Sequence, residues 1–194
     1  MGKENLKTLI VYGTRHGATQ GTSEEIAKIL QKENFEVKIV NAGEEKIKDI
    51  SEYDLVAVGS GIVCGRWVNE AEDLLKRFKG DLGTKKLALF VSSVDTIAEK
   101  EGRKDVVAKA RKISLEDKVS KYGLKPISMG FFGGVIDFNK MGFLTRKGME
   151  AAFKAPLQKH GFKQTGPGAY DLRDWDEIRS WAWELAKKLE ISRT

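Results

Sequence analysis

Glycines and hydroxyl side chains crowd one short stretch, Gly13-Thr14-Arg15-His16-Gly17-Ala18-Thr19-Gln20-Gly21-Thr22. It follows the apolar run Thr8-Leu9-Ile10-Val11-Tyr12 and leads directly into a helical pattern. Such a stretch can hold an anion. A helix N-terminus presents unpaired backbone N–H groups and the positive end of the helix dipole, and threonine hydroxyls add further donors. Arg15 offers a cation or a plain surface charge, and His16 offers a proton carrier or only its main chain. The loop contains no G-x-G-x-x-G, so a pyrophosphate lying on the backbone is not indicated. It contains no G-x-x-x-x-G-K-[ST] either, so no lysine reaches the end of a triphosphate. One terminal phosphate, held by hydroxyls and amides, is the ligand that remains. Thr22 and Glu25 have the spacing of a capping box.

The elements that must position this loop alternate in period. Short, apolar, partly β-branched or aromatic runs predict strands over residues 8–12, 36–40, 55–59, 87–92 and 126–131. Helical spacing lies between them, in Ile26, Ile29 and Leu30, in Val68, Ala71, Leu75 and Phe78, and in Val106, Val107, Ala110 and Ile113. A last helix is predicted from Asp174 and Glu177 at its start and the stripe Ile178, Trp181, Ala182, Leu185 and Leu189. Strands alternating with helices predict an α/β doubly wound parallel sheet of five strands, order 2-1-3-4-5, with helices on both faces. Ligands of such sheets bind at the carboxyl ends of strands 1, 3 and 4. The second and third of those ends are Ser60-Gly61-Ile62-Val63-Cys64-Gly65-Arg66-Trp67 and Ser92-Ser93-Val94-Asp95-Thr96. Both suit backbone contact with a flat polar ligand.

Residues 1–194 are expected to form a single domain with an insertion after the fifth strand, over residues 132–171. A helix over 146–159, ended or bent at Pro156, is expected within it. Phe138, Met141, Phe143 and Leu144, near Lys140, Arg146 and Lys147, form either a local core or a surface for a quinone, a membrane or a partner.

Composition narrows the function classes. The net charge is +6, but lysines alternate with glutamates and no run of five basic residues occurs, so nucleic acid is not an expected partner. The apolar stretches are too short to span a bilayer, and Gly2, Lys3, Glu4 and Asn5 precede a run too short for a secretion signal, so a cytoplasmic location is expected. One cysteine excludes an intrachain disulfide, and with two histidines it makes no usual zinc site. Cys64 is expected to be a small buried filler. No acid–base dyad or triad stands out, so no catalytic side chain is assigned.

The quoted loops resemble those of the flavodoxin-like FMN proteins. The branch they resemble includes menaquinone-dependent protoporphyrinogen IX dehydrogenase. The resemblance rests on Tyr12-Gly13-Thr14-Arg15-His16-Gly17-Ala18-Thr19, on Gly59-Ser60-Gly61-Ile62 leading to Gly65-Arg66-Trp67, and on Tyr170-Asp171-Leu172-Arg173-Asp174-Trp175. It implies FMN, with Thr14, Arg15, His16, Gly17, Ala18 and Thr19 around the phosphate. Ser60, Gly61, Ile62, Gly65 and Trp67, with Ser92, Ser93, Val94 and Asp95, are then implied around the isoalloxazine. Trp67 either stacks on that ring or anchors a helix, and Gly61 and Gly65 let a peptide turn beside it. Three departures stand out. The first loop looks about three residues longer, with Gln20-Gly21-Thr22 inserted, which leaves open whether Thr19 or Thr22 makes the last phosphate contact. The chain is basic where electron carriers are typically acidic. Val94 and Asp95 stand where an aromatic residue is frequent. The expected functions are an FMN-dependent oxidoreductase or electron-transfer protein with a redox partner protein or quinone, a pure carrier between proteins, or a non-redox anion-binding module.

Overall fold

The structure is a computed structural model and describes residues 5–191. Gly2, Lys3 and Glu4, on which the expectation of no secretion signal partly rested, lie outside the described residues. In chain order the first half consists of β1 (Lys7–Gly13), α1 (Ala18–Lys32), β2 (Glu36–Asn41), β3 (Leu55–Val63), β4 (Arg66–Trp67), α2 (Asn69–Arg77), α3 (Lys79–Leu82) and β5 (Lys86–Ser93). The second half begins with α4 (Ile97–Lys100), α5 (Lys104–Arg111) and α6 (Asp117–Tyr122), the last two joined by a π-helical turn at Lys112–Glu116. Then come β6 (Ser128–Gly133), β7 (Val135–Asp137), α7 (Phe143–Lys159), β8 (Lys163–Gly166), β9 (Ala169–Asp171) and α8 (Trp175–Ile191).

The main sheet runs β2-β1-β3-β5-β6 with every one of these pairs parallel, which is the expected 2-1-3-4-5 order of parallel strands. Its central strands are apolar on both faces because side chains alternate and each face is covered. Leu9, Val11, Val56, Val58, Leu87 and Leu89 pack towards α2, α3 and the π turn. Ile10, Ala57, Ala88 and Phe90 pack towards Ile26 and Leu30 of α1 and Ile178, Ala182 and Leu185 of α8. Phe90 lies between glycines in register on its two neighbours, Gly59 and Gly130. A Cβ at Gly59 would overlap the Phe90 ring, so the large side chain and the bare neighbour are one packing solution.

α8 begins as expected. The Asp174 carboxylate accepts the N–H groups of Asp176 and Glu177, both at 3.0 Å. The strand expected over 126–131 instead starts at Ser128 and continues to Gly133, because Pro126 has no N–H to give to a ladder.

Phe132 and Gly133 therefore belong to the main sheet, and the added segment starts at Gly134. It forms a second, antiparallel sheet of order β7-β9-β8 with α7 packed on it. α7 starts at Phe143, one turn before the expected position, and carries Pro156 in its last turn without ending there. Ile136, Phe138, Leu157, Tyr170 and Leu172, with Ile97 of α4, make a satellite core that Met141, Met149 and Phe153 flank. Phe143 and Leu144 stay out of it, 70% and 82% exposed on the outer side of the first turn of α7. Among the described residues no helix is long and apolar enough to cross a membrane.

α2 and α6 are tied by one carboxylate. Glu72 accepts from Lys118 at 2.7 Å, Lys121 at 2.9 Å and the Tyr122 hydroxyl at 2.7 Å. Burial pushes the Glu72 carboxyl up, and these three donors outweigh burial and hold it down at about 2. A carboxylate depressed in the folded state stabilises the fold above its ordinary value of 4.5 and loses that contribution as pH falls towards about 2. Urea midpoints of the protein are therefore expected to fall between these two pH values, and Glu72→Gln should flatten the fall over the same window.

Candidate functional site

β1 ends at Gly13, which packs so closely on α2 that a Cβ would stand 3.0 Å from the Ala71 Cβ. Beyond it the Thr14 hydroxyl accepts the Gly17 N–H at 3.0 Å, closing a turn in which Gly17 takes φ +81°. Glycine tolerates that value where other residues do not. α1 starts immediately afterwards, and its first backbone bond runs from the Gly21 N–H to the Gly17 carbonyl at 3.2 Å. The amides of Ala18, Thr19 and Gln20 precede that bond and have no partner in the helix.

The Thr22–Glu25 capping pattern is therefore not the helix start, and Gln20-Gly21-Thr22 is the first turn of α1, not a loop insertion. The Thr22 hydroxyl donates to the Ala18 carbonyl at 3.2 Å, and the Ser23 hydroxyl donates to Thr19 at 2.8 Å. The Thr19 hydroxyl is fully buried and has no hydrogen-bond partner. Of the two threonines that were open, Thr22 is committed to α1 and Thr19 keeps an unpartnered hydroxyl.

The expected loop after the third parallel strand is a β-hairpin. β3 runs to Val63, Cys64 and Gly65 turn at φ +49° and +72°, and β4 returns with Ile62 opposite Trp67. Two positive φ values in a two-residue connection are the pattern of a type I′ turn. Cys64 sits exposed at its tip, not buried as expected. The Ser60 hydroxyl donates to the Gly61 carbonyl and accepts the Val68 N–H, both at 2.9 Å, so it braces the hairpin. Trp67 is 2% exposed and its indole N–H donates to the Ser114 carbonyl at 2.6 Å. It anchors the hairpin in the main core and does not line the cleft.

A cleft opens where these ends meet. Thr14, Arg15, His16, Ala18 and Thr19 line one side, Gly61, Ile62 and Val63 another, and Ser92 and Val94 the floor. A Cβ at Gly61 would stand 3.3 Å from the Thr19 hydroxyl oxygen, so glycine there leaves room beside that group. Ser92 is 4% exposed, and its hydroxyl, like that of Thr19, has no partner. Ser93 and Asp95 are committed to each other: the Ser93 hydroxyl donates to the Asp95 carboxylate at 2.7 Å and accepts the Asp95 N–H at 3.2 Å. Of the other expected residues, Gly17 shapes the phosphate-type turn and Gly65 the hairpin tip.

Val63, Gly134 and Val135 line the cleft without having been picked from the sequence. The signal for Gly134 was the Gly133-Gly134 pair at a strand's carboxyl end, which the sequence reading assigned to the insertion. The Gly134 N–H donates to the Ser93 carbonyl at 3.0 Å, joining the added sheet to the cleft floor. Among the described residues no group of three or more His, Cys, Asp and Glu is placed to hold a metal ion.

A family model described as a flavodoxin domain matches residues 9–160. The chain belongs to the flavodoxin-domain family. Flavodoxin from Maridesulfovibrio salexigens is 28% identical over 113 residues, covering 48% of this chain and 75% of its own. A flavodoxin from the domain Archaea has the same fold at a TM-score of 0.54 and 14% identity, over 95% of this chain and 99% of that one. A Fusobacterium nucleatum flavodoxin variant bound to flavin mononucleotide superposes at 0.53 with 17% identity, over 96% and 99% of the two chains. In this flavodoxin domain the aromatic nearest the hairpin is structural. Trp67→Phe removes the only indole donor to the Ser114 carbonyl, and urea denaturation should show a loss of about 1–3 kcal/mol.

Proposed function

We propose that this flavodoxin domain binds FMN in the cleft and passes electrons between redox partners. The observation that carries the reading is the buried, unpartnered Thr19 hydroxyl beside three unbonded amides at the start of α1. A phosphate dianion only accepts hydrogen bonds, and each group there donates or carries positive charge. The Thr14 oxygen already accepts from Gly17, which leaves its own O–H to give to a phosphate oxygen. Arg15 lines the same side.

Ile62, Val63, Val94 and Val135 offer apolar walls for a flat ring, and the orphaned Ser92 hydroxyl gives it one polar contact. The chemistry FMN supplies when bound is the transfer of one or two electrons. The protein's part is to orient the cofactor, keep water from it and set the local field, which requires no proton-transferring side chain. The net charge of +6 favours acidic partner proteins, whose association slows as salt rises.

Titrating the purified protein with FMN and following the visible spectrum tests the reading. Binding is expected, weakened about tenfold or more by Thr19→Val through loss of a hydroxyl donor to an anion. A protein that stays colourless with FMN would be a non-redox anion-binding module.

A finer reading is quinone-linked oxidation of protoporphyrinogen. What favours it is the added segment, which supplies Val135 to the cleft and exposes Phe143 and Leu144 beside Lys147. The FMN-loaded protein offered protoporphyrinogen IX and menaquinone is then expected to oxidise the porphyrinogen faster than the flavin-free control. Equal rates would leave the electron carrier.

A further inference from the structure

Arg173 lies outside the cleft, between β9 and α8, yet it reaches the turn that the FMN reading assigns to phosphate. Its Nε and Nη2 donate to the two oxygens of Asp171 at 2.8 and 2.7 Å, a bidentate pair whose side chains are 14% and 9% exposed. Burial pushes the Asp171 carboxyl up, and the arginine's hydrogen bonds outweigh it and hold the group below the usual range. The Trp175 ring covers the guanidinium, with its centroid 4.3 Å from the central carbon. The remaining terminal nitrogen, Nη1, donates to the Ala18 carbonyl at 3.3 Å.

Two features make that last contact more than a surface link. Gly21 provides the notch: a Cβ there would overlap Nη1, so the guanidinium lies across the first turn of α1 only because that residue is glycine. The Ala18 carbonyl and the Thr19 N–H also belong to one planar peptide. A charged donor on the carbonyl fixes the plane and polarises it, which strengthens the N–H at its other end as a donor. That N–H is one of the three unbonded amides at the anion site. A cation at a helix N-terminus is otherwise unfavourable. Asp171 offsets this one, and an arriving dianion would offset it further.

We propose that Arg173, held by Asp171, is a positioning residue for phosphate binding that acts through the Ala18–Thr19 peptide and couples the added sheet to cofactor affinity. The proposal rests on the FMN reading. It is tested by titrating wild type, Arg173→Ala, Arg173→Lys and Gly21→Ala with FMN and with riboflavin, which has the ring but no phosphate.

Arg173→Ala is expected to weaken FMN about tenfold, the scale of one hydrogen bond to a charged group, with riboflavin affinity unchanged. Lysine should restore little, since one ammonium cannot hold both Asp171 oxygens and the Ala18 carbonyl. Gly21→Ala should weaken FMN by displacing the guanidinium while the thermal midpoint holds or rises, since alanine favours the helix. A purely structural role cannot give that split, and this variant serves if Arg173→Ala folds poorly. FMN affinities within twofold of wild type, or equal losses for FMN and riboflavin, would overturn the proposal while the FMN reading stands. Wild type that binds no FMN would overturn both.

Discussion

Three amides at the start of α1 have no carbonyl to bond, and the carboxyl end of the sheet is arranged around that deficit. β1 delivers the chain to the spot, and the bare backbone of Gly13 lets α2 press in behind it. The Thr14 hydroxyl takes the Gly17 amide and bends the chain into the helix, leaving the next three amides with no acceptor inside α1. Gly61 then leaves room beside the buried Thr19 hydroxyl, which a Cβ would approach to 3.3 Å. Each choice would be a weakness in a protein that bound nothing there, because buried donors without acceptors cost free energy. On the proposed reading, these donors serve the phosphate of FMN.

The rest of the sheet supplies rigidity. Phe90 fills the space over Gly59 and Phe132 the space over Gly130, and the Phe90 ring meets Phe132 at 6.4 Å and Trp181 at 6.0 Å. Tilted aromatic contacts of this kind tie β5, β6 and α8 into one block on the face away from α2. The cleft floor at Ser92 and Val94 is the continuation of β5, so its position is set by core packing and not by a free loop. Trp67 does the same for the hairpin wall through Ser114.

Much of this was legible in the sequence because central parallel strands are apolar on both faces and helices keep their 3.6-residue period. The order of elements, the cap at Asp174 and the convergence of three strand ends all followed from pattern. The start of α1 did not. Thr22 and Glu25 have the spacing of a capping box, and nothing local reveals that Thr22 bonds back to Ala18 inside a helix already begun. The true start depends on a hydroxyl three residues before Gly17 and on a positive φ, neither of which has a strong signature. Trp67 was ambiguous for a different reason. Stacking and anchoring use the same side chain, and the deciding partner, Ser114, lies 47 residues away in sequence. The Cys64-Gly65 turn lacks the Asn-Gly or Asp-Gly signal that marks most hairpins of its type. Gly134 and Val135 were missed because the cleft lining reaches into the start of the added segment, which the sequence reading kept apart from the strand ends.

How that segment is attached explains why it influences the site at all. It leaves the main sheet at Gly133-Gly134 and returns at Leu172, and these two points touch: the Leu172 N–H donates to the Gly134 carbonyl at 2.9 Å. A Cβ at Gly133 would overlap the Leu172 carbonyl, so the closure needs glycine. The two ends of the segment are in contact, and lengthening a connection whose ends already meet adds only a slowly growing entropic cost. Because the return point is pinned by backbone bonds, the next residue has little freedom of direction. That residue is Arg173. Its place across the first turn of α1 follows from the closure of the added segment, which links the second sheet to the Ala18 carbonyl.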